Sequence, residues 1–177
     1  MDYETKAVSR QRLRQYAVLL RKVFDVPTDG SFPVLYALET LGDVFYGSNY
    51  VVVEDYKLPP QMMARCVHND YGGYTIEIRQ SVYDGAYRFN VGAFLGFICH
   101  EICHIFLFEI GYTPVYGRRV VNGTIPAYCS VEWQAKALCG EVMIPFDESH
   151  GLTAQEIVDT YHVSKAFAKK RLELEKR

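Results

Sequence analysis

Phe94-Leu95-Gly96-Phe97-Ile98-Cys99-His100-Glu101-Ile102-Cys103-His104-Ile105-Phe106-Leu107-Phe108-Glu109-Ile110 is the stretch from which the rest of the chain is read. At its centre, His100-Glu101-Ile102-Cys103-His104 has the form H-E-x-x-H. Residues four apart on an α-helix lie about 40° apart around the axis and one turn along it, so both imidazoles point the same way. Glu101 stands about 100° round from His100. From there its carboxylate reaches the space in front of the histidines without being a ligand itself. Two histidines holding zinc and a glutamate acting as general base is the chemistry this spacing serves. The apolar residues around the motif face nearly every direction, which marks a helix inside a domain.

A catalytic zinc takes three protein ligands and leaves a fourth position for water. The long form H-E-x-x-H-x-x-G-x-x-H is absent, because Ile110 occupies its last position. His150 and His162 lie in the terminal segments and would have to fold back to reach the pair. Glu132, on the next long helix, is the better third ligand. In Glu132-Trp133-Gln134-Ala135 a small residue follows close after it and allows tight packing on the motif helix.

Working outward, Tyr3–Phe24 carries apolar residues at helical spacing, and Asp25–Phe32 with Pro27 and Gly30 ends that helix. Pro33–Leu41 reads as a short second helix stopped by Gly42. Val51-Val52-Val53 is a branched run suited to a strand, closed by Pro59-Pro60. Ala64–His68 and Tyr74–Ile78 flank the turn residues Asn69–Gly73, so a hairpin is expected. Together these predict a small antiparallel sheet of three strands, with Tyr74, Ile76 and Ile78 on one face. The motif helix is expected over Asn90–Glu109, a loop or loose hairpin over 112–126, and a long helix over Ala127–Met143. Two short helices close the chain. Thr153 with Glu156 has the form of a capping box, and Ser164 of an N-cap. The expected fold class is α+β: one domain over 1–177, with an N-terminal helix (1–30), a core (31–148) and a C-terminal helical pair (149–177).

Composition sets the limits on function. Of 177 residues, 49% are hydrophobic and 23% charged, the balance of a globular domain. A net charge of −2 gives no bulk attraction to nucleic acid or anionic lipid. Residues 91–110 alone tempt a membrane assignment, and His100, Glu101, His104 and Glu109 interrupt them at high cost in lipid. Five cysteines without framework spacing argue for a reducing compartment. Met1–Arg14 has no apolar signal core, so a cytoplasmic protein is expected. Cys99 and Cys103 flank His100 and invite a mixed site, but they read as small buried hydrophobes. Cys66, Cys129 and Cys139 carry no ligand spacing and read as core.

These segments together resemble the ImmA/IrrE metallopeptidases. The resemblance rests on His100–His104, on Glu132-Trp-Gln-Ala135, on Val142-Met-Ile-Pro145, and on a tail from Val163-Ser164 to Arg171-Leu172. It spans roughly residues 33 to 175. It implies a minimal zincin-like domain in which His100, His104 and Glu132 hold zinc and Glu101 is the catalytic base. It also implies an intracellular protein substrate, such as a helix-turn-helix repressor linked to mobile elements or stress. One departure stands out. Where the family usually has Asn or Asp after the alanine, Lys136 stands here and cannot accept a hydrogen bond from a ligating histidine. The oxyanion donor is not fixed by sequence, with Tyr112, Tyr116 and Tyr128 as candidates, and the substrate is expected along the sheet edge near Tyr74–Ile78.

A second class of function comes from the tail. Thr153–Leu174 also resembles a helix-turn-helix whose second helix carries Lys165, Lys169, Lys170 and Arg171. A DNA-binding module with a structural metal is the alternative, as is a weak relative that binds its partner uncut. Six basic against four acidic residues over 153–177 leave only +2, a thin footprint for DNA, so nucleic acid is the less favoured partner.

Overall fold

A computed structural model describes residues 2–115 and 124–175. The fold is α+β, with nine α-helices and a three-stranded sheet among the described residues. Helix α1 spans Arg10–Val23, and its N-cap is Ser9, whose hydroxyl accepts from Arg12 N–H at 3.2 Å. The expected start at Tyr3 is therefore corrected. Residues 3–8 instead run beside residues 128–129, with Thr5 N–H donating to Cys129 O (2.8 Å) and Val8 N–H to Tyr128 O (2.9 Å). The Ser9 side chain offers a cap that helix propensity alone does not register.

The expected second helix is divided at Thr40 into α2 (Val34–Glu39) and α3 (Leu41–Val44). Strand β1 (Asn49–Val53) follows, then β2 (Ala64–His68) and β3 (Tyr74–Arg79). The β2–β3 hairpin forms as read, its turn braced by Asn69 Oδ1 accepting from Tyr71 N–H (3.0 Å) and Gly73 N–H (3.2 Å). The sheet is mixed rather than antiparallel: its order is β1-β3-β2, and β1 pairs parallel to β3. A hairpin turn sets the direction of the two strands it joins and says nothing about a strand from further back. β3 is central, and Ile76 and Ile78 are fully buried on its inner face.

Helix α4 (Gln80–Phe89) is an element the pattern did not suggest. Gly85 within it lies against Phe94, where a Cβ would stand 2.3 Å from the ring, so tertiary packing rather than propensity holds this turn. Asn90 adopts a left-handed conformation (φ 50°) as the C-cap of α4, and helix α5 runs from Gly92 to Glu109. Helix α5 is the one described helix long and apolar enough to cross a membrane, and 56% of it is buried inside the fold. It packs against β2, β3, α2, α4 and the next long helix, α6 (Val131–Met143). One 3-10 turn at Ala127–Cys129 precedes α6, where a continuous helix from Ala127 was expected. The chain then forms α7 (Phe146–Ser149), α8 (Ala154–Tyr161) and α9 (Lys165–Glu175). The capping box of Thr153 and Glu156 is present, and Ser164 Oγ accepts from Phe167 N–H at 3.2 Å.

Two buried charged side chains tie the helices together. Glu141 on α6 is almost fully buried and meets Arg171 (3.0 Å), Arg10 (3.2 Å) and Arg14 (3.5 Å). Arg21, 1% exposed, spends its donors on the carbonyls of Val142, Pro27, Asp29 and Gly30 at 2.6–3.0 Å. It thereby ties α1 to the end of α6 and to the loop between α1 and α2.

Candidate metal centre

Helix α5 presents His100 and His104 one turn apart, with their Nε2 atoms 3.0 Å from each other and the rings edge to face at 85°. From α6, Glu132 meets both: Oε2 is 3.3 Å from His100 Nε2 and Oε1 is 3.5 Å from His104 Nε2. All three ligand atoms lie within 4.8 Å of one another. Two nitrogens held about 2.0–2.1 Å from one tetrahedral ion stand roughly 3.3 Å apart, so the observed pair needs little movement to share an ion. Neutral imidazoles and a carboxylate suit zinc, and they also suit manganese or iron. The donor set therefore fits a divalent cation without naming it.

The electrostatics agree with that fit. Hydrogen bonding to His100, then to His104, holds the Glu132 carboxyl well below the usual carboxylate range, although the side chain is half exposed. Burial disfavours the His100 cation, but the bond to Glu132 and the field of Glu101 outweigh it and raise its pKa. Glu101 lines the same cleft and is 9% exposed. Burial raises its pKa, against the pull of the two histidines and of a hydrogen bond from the Cys66 backbone on β2.

The start of α6, which carries Glu132, is held from two sides. Ser130 is the N-cap of α6, accepting from Trp133 N–H at 2.9 Å. The Asp2 carboxylate accepts from Ser130 Oγ (2.5 Å) and from Glu132 N–H (3.1 Å), an anion at the positive end of the helix. Gln134, fully buried, donates from Nε2 to Lys6 O and Tyr128 O, each at 2.8 Å. The N-terminal segment thus fixes the helix that carries the third donor. Sequence reasoning missed this because the segment was read as helix; Asp2 and Ser130 are 128 positions apart.

An open cleft of about 690 Å³ faces the cluster. Its walls include Met62, Met63, Phe97, Lys136 and Phe167, and Gly92 lets the chain at His162–Ser164 pass. A Cβ on Gly92 would stand 2.6 Å from the Val163 carbonyl carbon, so no larger residue fits there. Lys136 lies on this wall and is exposed, one turn after Glu132. His104 Nδ1 is buried without a hydrogen-bond partner among the described residues.

Other expectations fare differently. Tyr112 is turned away, its hydroxyl 3.2 Å from that of Tyr16 and its ring under Lys6. Tyr128 is exposed and is not among the residues lining the cleft. Tyr116 lies outside the described residues. His162 caps α8 and His150 lies in the turn after α7, so neither joins the cluster. β3 has no free edge, since both its sides are paired; the sheet edge beside the cleft belongs to β2. Compared with known proteins, the chain matches no family model and no curated protein.

Proposed function

We infer that this chain is a zinc-dependent endopeptidase of the ImmA/IrrE kind, with a zincin-like core, acting on an intracellular regulatory protein such as a helix-turn-helix repressor. The observation that carries the reading is the meeting of Glu132 with His100 and His104 over an open cleft, with Glu101 beside them. His100, His104 and Glu132 would hold a divalent ion, which would supply Lewis acidity to activate a water and polarise a peptide carbonyl. Glu101, its basicity raised by burial, accepts the proton of the attacking water on a carboxylate oxygen. It returns that proton to the amide nitrogen as the C–N bond breaks. The substrate lies extended along the edge of β2, beside the cleft that Gln61 to Ala64 border.

The test is incubation of the zinc-loaded chain with repressors of the helix-turn-helix class encoded near its gene, followed by mass spectrometry of the products. The expected result is a single cut at one peptide bond, absent with Glu101→Gln although that variant still binds zinc. Cleavage by Glu101→Gln at the parent rate would overturn the mechanism.

A further inference from the structure

The same two helices that carry the histidines and Glu132 also bring three cysteines together. We propose that Cys99, Cys103 and Cys139 form a second ion site, a three-sulfur cage for one thiophilic d10 cation such as Cu+, set behind the His100/His104/Glu132 cluster. The inference stands apart from the peptidase reading.

Geometry is the first argument. Cys99 and Cys103 are one turn apart on α5, and Cys139 faces them from α6, with all three Sγ atoms within 4.8 Å of one another. Three sulfurs each about 2.3 Å from a trigonal ion stand roughly 4 Å apart, inside that limit. All three are free thiols, with Cys99 and Cys103 fully buried and Cys139 4% exposed.

The second argument is coordination number. Beyond the sulfurs, the contact recorded at the cluster is Cys139 Sγ–H donating to Gly96 O at 3.6 Å. Among the described residues the set is three soft sulfur donors with no fourth protein ligand, which suits a soft ion content with three. The nitrogen and oxygen donors of the neighbouring cluster have the opposite preference. Two sets of different softness on one pair of helices would sort two kinds of ion.

Access and charge complete the case. Cys139 lines the cleft that also exposes His100 and Glu132, so an ion reaching the cleft reaches the first sulfur. The Arg21 guanidinium is buried, bonded to carbonyls alone, and close enough for its charge to be felt at Cys99. It offsets part of the negative charge of the sulfurs. On binding, the thiol protons leave to solvent and sulfur lone pairs pass to the ion, with no change of oxidation state.

The experiment uses the reduced full chain, first saturated with Zn²⁺, then titrated anaerobically with Cu+ in competition with a chromophoric chelator. The expected result is one Cu+ per chain, an ultraviolet sulfur-to-metal band, and an X-ray absorption shell of three sulfurs. Uptake should be lost in Cys139→Ala and Cys103→Ala, scored after circular dichroism confirms folding, and kept in Glu132→Ala and Cys66→Ala. A nitrogen or oxygen shell in the parent chain, which needs no variant, would overturn the proposal. So would uptake that survives Cys139→Ala or disappears with Glu132→Ala.

Discussion

Replacing Glu132 by Gln keeps the shape of the side chain and removes its charge, which isolates what the carboxylate contributes to ion binding. Glu132 contacts both ring nitrogens at 3.3 and 3.5 Å, and its side chain is 53% exposed. The water-like end of the dielectric range therefore applies, where a unit pair at 4 Å is worth about 1 kcal/mol and a divalent partner doubles it to about 2 kcal/mol. At about 1.4 kcal/mol per tenfold, zinc affinity should fall by at least roughly 30-fold. Glu132→Ala should fall further, since it loses the donor atom as well. The assay is competition with a chromophoric zinc chelator at fixed pH and salt, alongside metal content per chain after dialysis. The two variants should rank parent, then Gln, then Ala. If Glu132→Ala holds zinc within threefold of the parent, the carboxylate is not a ligand and the centre has been misassigned.

Three further outcomes follow from the same coordinates. Because burial raises the Glu101 pKa in the metal-free chain, its favourable contribution is complete below the ordinary value of about 4.5 and is lost as pH rises through the folded value; Glu101→Gln should raise the metal-free Tm at pH 8 more than at pH 4, and a Tm gain independent of pH would contradict this. Arg21→Met strands several buried carbonyls and should cost at least about 3 kcal/mol, a Tm loss of roughly 6–12 °C for a chain of this size; a thermal scan that moves by less than 2 °C would show that solvent satisfies them. Asp2→Ala removes an anion from the start of α6 and should cost about 1 kcal/mol of stability together with a few-fold weaker zinc binding, and unchanged zinc affinity would show that the segment does not position Glu132.

What was legible beforehand was local. His100, Glu101 and His104 lie within one and a half turns of a single helix, so their relation is set by helix geometry wherever the helix sits. The capping box at Thr153 and the turn at Asn69–Gly73 were readable for the same reason. Glu132 needed α5 and α6 to pack together, and Ala135 gave a hint of that closeness, being fully buried. The direction of β1 depends on a partner about 26 residues away (Asn49 with Thr75), and no spacing rule carries that information. The role of Asp2 arises from a pairing across 128 positions, and the approach of Cys139 to Cys99 and Cys103 from pairings across 40 and 36. Helix α4 was hidden because its Gly and Tyr residues are poor helix formers, and the packing that compensates them is not written in the segment itself.

Helix α6 is gripped at its start by residues 2–8 and at its end by Arg171, whose charge meets that of Glu141. During translation, then, a nascent chain that has produced both histidines and Glu132 still lacks one of the three arginines that meet Glu141 at the far end of α6. Until residue 171 leaves the ribosome, Glu141 has only the flanking Arg10 and Arg14 to answer it. The far end of α6 therefore gains its last cation only after every donor of the His100/His104/Glu132 cluster has been made, and its settling is the later event.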